Sequence, residues 1–518
     1  MSERSEAAGG SRGGEGGADE HSLDEARRAF ERRPESSFEA SRYLQALRAA
    51  KLPPHEAIAE ATPVREHFPG DEWVAMRFGW LLYDVCRAQE AEGALPERVS
   101  SLEELVDCAI DAGSRAGVLA EQAGRLFARL TKFGEQRPPE GDVLLDRIAE
   151  LGRRFEERLL DRLSNESPRQ GGTRQRRLMS PREVLLNGLR RAYEAAGRSE
   201  WLEALCRRVV SGELEVRNPV WFGRALLLSL AHHSPPPPLD ESLERFLLRH
   251  GANGWVQAAL ARYWVAAGRP DEARRVWAGA VALADSPWPW RDCAEWELDR
   301  AELELAVWCF EAGLQRCRRE DEPKTWRIHF ALAQTLYTLG DVEEAAHELR
   351  LARRCREAGG WASSPAVDAF LMGADDALLS AVESLRELSL EQLLARRREA
   401  YRAAADRYLA RVARAGRVKA VVGDGKLVFM RFDDGEPREA LWRPRRGAPV
   451  PARGTEVLAV TVPSWDAKRE RPGAQVVWWA ERDAGTPSRP APPAMTEAQA
   501  APQTPGPESL PPLEELPF

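Results

Sequence analysis

Apolar residues recur at helical spacing through most of the first four hundred positions, as in Phe38, Tyr43, Leu44 and Leu47, and again in Trp73, Phe78, Leu81 and Leu82. This period places them on one face of an α-helix, so 36–165 reads as a region of amphipathic helices. The stretch FPGDEWVAMRFGWLLYD predicts a turn that feeds a helix, with Asp71 as its N-cap. The period lapses over 166–180, where in SPRQGGTRQRRLMSP Gly, Pro and Arg174, Arg176 and Arg177 replace the apolar residues. That composition predicts an exposed basic linker, with a solvated loop preferred to a nucleic-acid contact. Helical pattern resumes at Pro181 and pauses at HHSPPPPLD, because four consecutive prolines cannot lie inside a helix.

Beyond Gly251 the chain repeats itself. GWVQAALARYWVAAGRPDEARRVWAGAVAL sets Leu260, Trp264, Gly268, Ala273 and Trp277 at offsets that RIHFALAQTLYTLGDVEEAAHELRLARR reproduces with Leu332, Leu336, Gly340, Ala345 and Leu349. A middle unit, ELDRAELELAVWCFEAGLQRC, supplies Ala306, Phe310 and Gly313. The anchors Ala273, Ala306 and Ala345 are 33 and 39 residues apart. This spacing resembles the tetratricopeptide-repeat family, in which small residues let paired helices approach and each hairpin needs its neighbours. The resemblance implies a helical-hairpin solenoid over 181–387 whose concave face binds a peptide or a partner protein. Trp255, Trp264, Trp277, Trp288, Trp290, Trp296, Trp308 and Trp326 are expected mostly in the core. A long Ala/Arg-rich helix over 388–415 is expected to act as a rigid spacer.

After Gly416 the period changes to two, which predicts strands at Arg417–Val422, Lys426–Phe432, Arg438–Trp442, Thr455–Val462 and Gln475–Ala480. Five short strands over 416–482 suit a small barrel of the OB type. GRVKAVV and KLVFMRFDDG resemble the opening of a cold-shock domain, REALW its second aromatic strand and RPGAQVVWW its closing strand. The resemblance implies single-stranded RNA or DNA bound by stacking on aromatics with basic residues at the phosphates. It carries Phe429 over as a stacking residue, while Leu427, Leu441 and Ala420 stand where that family has aromatics. Trp442, Phe432, Trp465 and Trp478 or Trp479 are candidates to restore aromatic surface. Lys419, Lys426, Arg431, Arg443, Arg445 and Arg446 are candidates for charge.

Charge sharpens this picture. The chain of 518 residues carries a formal charge of -8, yet residues 414–482 hold 14 Lys and Arg against 9 Asp and Glu, or +5, which leaves -13 elsewhere. A nucleic-acid footprint across the whole chain is therefore excluded, and the barrel is the place for a basic patch. No apolar run approaches the roughly 18 residues of a membrane span, and the leader 1–35, for which disorder is expected, has no apolar core of a signal peptide, so a cytoplasmic location without membrane association is expected. Seven cysteines fall in no zinc spacing, and no acidic residue or cysteine stands at metal-ligand spacing in sequence from His232 and His233, so no metal or other cofactor is expected. Asp433-Asp434-Gly435 reads as a hairpin turn, GDGK is too short for a phosphate-binding loop, and no catalytic motif is present. The chain reads as non-enzymatic.

The tail 483–518 is Pro/Ala/Gln-rich, and disorder is expected for it. Its close, Glu514, Glu515, Leu516, Pro517 and Phe518, resembles the tip of bacterial single-stranded-DNA-binding proteins. That resemblance implies Phe518 as an anchor in an apolar pocket on nucleic-acid-processing enzymes, with the two acids at a basic rim. Repeats, barrel and tip together resemble the accessory proteins of the bacterial conflict systems called TOTE. The function this implies is an adaptor that holds single strands on the barrel and proteins on the repeats and tip. The residues leave open an alternative, a protein-interaction scaffold whose barrel also binds protein.

Overall fold

A computed structural model describes residues 15–92, 96–135, 140–163, 180–318, 321–362, 364–432, 437–445, 447–466 and 471–482. The expected linker arginines, Arg446, the Asp433-Asp434-Gly435 turn and the tip from Glu514 to Phe518 lie outside the described residues. The chain divides into two compact units, one reaching Asn218 and one beginning at Pro219.

The described part of the first unit is helical, and its first helix, which buries Leu23 and Ala26, lies in the leader expected to be disordered: α1 (Glu15–Arg32), α2 (Ser37–Ala49), α3 (Pro54–His67), α4 (Glu72–Glu92), α5 (Pro96–Asp111), α6 (Gly117–Glu135), α7 (Glu140–Leu159), α8 (Pro181–Ala195) and α9 (Ser199–Val210). Asp71 caps α4 as expected, its Oδ1 accepting from the Trp73 and Val74 amides at 2.9 Å. Gly124 of α6 and Gly188 of α8 bring these helices together. A Cβ on Gly124 would lie 2.7 Å from the Leu185 Cα, so only a bare backbone fits that crossing. This seats α8 within the first unit, which thereby extends past the 166–180 segment.

The second unit begins with α10 (Val220–Ala231) and α11 (Glu241–His250) and continues as hairpins: α12 (Gly254–Ala266) with α13 (Pro270–Leu283), α14 (Pro287–Asp299) with α15 (Leu303–Gln315), and α16 (Trp326–Leu339) with α17 (Val342–Ala358). The short α18 (Pro365–Met372) and α19 (Asp376–Ser384) follow, then α20 (Leu390–Val412). Ala273, Ala306 and Ala345 are fully buried in one continuous hydrophobic cluster that runs from α12 to α20. Five residues before each of these alanines the backbone turns left-handed, at Gly268 (φ 68°), Ala301 (φ 58°) and Gly340 (φ 87°). The middle repeat thus makes its turn with an alanine, at a local cost of about 1 kcal/mol relative to glycine.

Trp277, Trp290 and Trp296 are buried, while Trp264, Trp288, Trp308 and Trp326 are half-buried against the same cluster. Arginines cover the outer faces of three of these, Arg269 over Trp264, Arg291 over Trp288 and Arg356 over Trp326.

The strands are β1 (Arg414–Val422), β2 (Leu427–Phe432), β3 (Glu439–Trp442), β4 (Glu456–Asp466) and β5 (Arg471–Glu481). Their order is β1-β2-β3-β5-β4, closed by an antiparallel β1–β4 ladder and a parallel contact of β3 with β5. Each lies within a few residues of the expected span. Val418, Val428, Met430, Phe432, Ala440, Val457, Ala459, Ala474 and Val476 fill the interior.

Candidate nucleic-acid interface

Two features fix which barrel surface is free. The first is docking: β4 packs on α11, α13 and α20, and β5 on α13 and α20. Val460 belongs to the helical core, and Trp478 Nε1 donates to Asp406 Oδ1 of α20 at 3.0 Å. A Cβ on Gly279 of α13 would come within 2.7 Å of the Val462 Cγ1, so the glycine lets β4 approach the helix. The second is alternation. With Val428, Met430 and Phe432 inside, Leu427, Phe429 and Arg431 of β2 point outward.

Cross-strand register assembles the outward face of β1, β2 and β3. Arg431 pairs with Arg417 on one side and Glu439 on the other. Phe429 pairs with Ala420 and Leu441, and Leu427 with Val422. The face is therefore segregated. One half holds Arg417, Lys419, Arg431 and Glu439, and the other holds Ala420, Val422, Leu427, Phe429 and Leu441.

A register shift between Val418 and Ala420 leaves Lys419 exposed, where its Nζ meets Glu439 Oε1 at 2.6 Å. That hydrogen bond is the main reason the Glu439 carboxyl is held below its ordinary pKa. Arg417 Nη2 reaches Glu456 Oε1 at 3.1 Å. Both pairs are exposed, so they are weak and a phosphate can displace them.

Lys426 is exposed after the β1–β2 turn, where Gly423, Asp424 and Gly425 all take positive φ, and Arg443 is exposed just after β3. Trp442 is placed differently from the other candidates. It alternates inward, half-buried, with its ring edge-on to Trp479 at 5.2 Å between centroids. Phe432 is a core residue with the Arg414 guanidinium over its ring, and Trp478 is committed to α20. Trp465 is exposed near the end of β4. Lys419, Phe429 and Arg431 thus share the face, with Lys426 and Arg443 exposed at the turn after β1 and just beyond β3.

The predicted spacer is instead a packed element. α20 lies across the hairpins, touching α13, α15 and α17, and buries Leu393, Tyr401, Ala404, Tyr408 and Leu409. Its buried Arg397 binds Glu311 Oε1 of α15 at 2.7 Å, Glu348 Oε1 of α17 at 2.8 Å, and Glu344. Glu348 also accepts from Tyr401 OH at 2.8 Å and meets His329 Nδ1 at 2.7 Å. Near the other end of α20, Tyr408 OH lies 3.2 Å from Glu297 Oε1 and 3.1 Å from Cys293 Sγ, and Arg274 holds Glu297 at 2.7 Å.

Burial pushes the Glu311 carboxyl up to about 7 against the opposing pull of Arg397. At His329 burial works against the charged imidazolium, but hydrogen bonds to Cys355 and Glu348 prevail and raise it to about 10. None of this network is visible in the sequence, because residues on four helices meet only after folding. The one local hint was an apolar stripe on α20 interrupted by Arg397.

Among the described residues no cluster of His, Cys, Asp or Glu is arranged to hold a metal, and no helix is long and apolar enough to cross a membrane. No protein-family model and no curated protein matches the chain.

Proposed function

We propose that the protein is a non-enzymatic adaptor that binds single-stranded nucleic acid on the outward face of β1, β2 and β3. The observation that carries this reading is the joint placement of Lys419, Phe429 and Arg431 on the face of β1, β2 and β3, away from the strands β4 and β5 that pack on the helices among the described residues. A base stacks on Phe429, worth about 1–3 kcal/mol, while Lys419, Arg431, Lys426 and Arg443 take phosphates. The partners are single-stranded RNA or DNA on the barrel, and nucleic-acid-processing proteins on the repeats and on the tip formed by Glu514 to Phe518. Because α20 covers part of α13, α15 and α17, a protein partner is directed to the first helices of the hairpins, α12, α14 and α16. The likeness to cold-shock domains, and to the accessory subunits of TOTE conflict systems, supports such a role in a cytoplasmic defence assembly.

The test is anisotropy of labelled oligonucleotides titrated with the full chain. Affinity should fall as salt rises, with a slope of about -0.7 per phosphate contacted. Phe429→Ala should weaken binding roughly tenfold or more without loss of fold. A second reading, that this face binds protein, is favoured by its aliphatic half and by the pairing of Lys419 with Glu439. It predicts no oligonucleotide binding at low salt.

A further inference from the structure

The middle hairpin of the second unit departs from its neighbours at two core positions. Cys293 of α14 and Cys309 of α15 stand thirteen residues before and three residues after the anchor Ala306. The same positions hold Leu260 and Val276 in the hairpin before it, and Leu332 and Glu348 in the hairpin after it. Both thiols are fully buried, and their Sγ atoms lie 3.8 Å apart across the hairpin.

The pair is tied to α20, which packs along α15. Tyr408 has one hydroxyl hydrogen and donates it to Glu297 Oε1 at 3.2 Å, so at 3.1 Å the Cys293 thiol is the donor to the Tyr408 oxygen. Cys309 in turn donates to the Cys293 sulfur. Arg274 holds the far end of this chain at Glu297, 2.7 Å away. Burial pushes the Cys309 thiol well above its ordinary pKa, so with α20 in place this sulfur keeps its proton and is a poor nucleophile.

We propose that Cys293 and Cys309 are a redox-active dithiol covered by α20, which a hydroperoxide oxidises to a disulfide when that helix lifts. Lifting α20 hydrates the sulfurs and lets a thiolate form. The Cys293 thiolate attacks the hydroperoxide, the O–O bond breaks, the sulfur becomes a sulfenic acid, and the departing alkoxide takes up the proton that Cys293 released. Cys309 then attacks the sulfenic sulfur, the S–S bond forms, and the hydroxyl leaves as water with the Cys309 proton. Two electrons pass from the sulfurs to the O–O bond, and the products are a disulfide, an alcohol and water. Side-chain rotation brings the sulfurs from 3.8 Å to about 2.05 Å. The output is the grip on α20. A disulfide has no S–H to give Tyr408, and since opening of α20 favours oxidation, oxidation favours opening by the same factor.

The test treats the full chain carrying Cys317→Ser, which removes the one thiol that is not buried, with hydrogen peroxide under native conditions. Mass spectrometry should show the loss of two hydrogens, and peptide mapping should link Cys293 to Cys309, reversibly with dithiothreitol. The rate should follow α20 amide exchange: slowest with no further change, intermediate with Arg397→Ala, Glu311→Gln added, and about a hundredfold above the slowest with Arg397→Ala alone. Adding Cys309→Ser should stop the reaction at a Cys293 sulfenic acid that dimedone captures. The oxidised chain should exchange its α20 amides faster than the reduced one. No disulfide in any of the three chains, a disulfide between other cysteines, a rate that ignores α20 exchange, or α20 exchange unchanged by oxidation would each overturn the proposal.

Discussion

Replacing Arg397 with alanine isolates the energetics of the α20 seam. The guanidinium is 6% exposed and binds Glu311 and Glu348, which are themselves almost wholly buried. Glu348 retains Tyr401 and His329 in the variant and Glu344 is half exposed, so Glu311 is the buried carboxylate that loses its hydrogen-bonded cation. Breaking a buried pair by removing one partner costs about 3–5 kcal/mol, mostly the penalty of the orphaned charge. The double variant Arg397→Ala, Glu311→Gln should therefore be more stable than Arg397→Ala alone.

The assay is hydrogen exchange of the α20 amides in the full chain, which reads opening of that helix without assuming that two units unfold together. A loss of about 3 kcal/mol accelerates exchange in α20 about a hundredfold, after correction for intrinsic rates. The same measurement carries a sign for pH. Glu311 titrates at about 7 in the folded chain against an ordinary 4.5, so the folded state binds its proton more tightly. Stability from this group is full below about 4.5 and is lost as pH rises through about 7, a change of up to about 3 kcal/mol. Loss of less than about 1 kcal/mol in Arg397→Ala, or α20 protection that grows from pH 5 to 7, would refute this account of the seam.

Three further outcomes follow from individual residues. Ala301→Gly should raise the melting temperature, by up to about 1 kcal/mol of stability, because it relieves a left-handed alanine; an unchanged or lower value contradicts the strain. Gly279→Ala should cost about 1–3 kcal/mol and loosen β4 from α13, seen as faster exchange in Glu456–Asp466 with little change in the first unit. Phe432→Ala should destabilise the barrel by about 3–5 kcal/mol, whereas Phe429→Ala should change binding and leave the melting curve nearly unmoved.

Period and turn chemistry made the helices and strands legible, and strand alternation separated Phe429 from Phe432 once the register was known. The barrel face was only partly legible. Trp442 had the right residue type for a stacking surface, but its neighbour Leu441 holds the outward position, and a β-bulge near Lys419 obscures the phase of β1. The role of α20 was hidden for another reason. An Ala/Arg-rich helix satisfies a solvated spacer as well as a packed strut, and only the convergence of Glu311, Glu344 and Glu348 on Arg397 distinguishes them. The repeat turn at Ala301 had no signature in the sequence, because an alanine stands where the flanking units have Gly268 and Gly340.

The central claim is that the free barrel face holds single-stranded nucleic acid, and a salt titration with the full chain tests it most directly. Labelled single-stranded DNA and RNA should bind at low ionic strength, weaken linearly on a logarithmic salt scale, and lose affinity in Phe429→Ala and in Lys419→Ala, Arg431→Ala. Absence of binding at low salt, or binding that these substitutions leave intact, would contradict the claim.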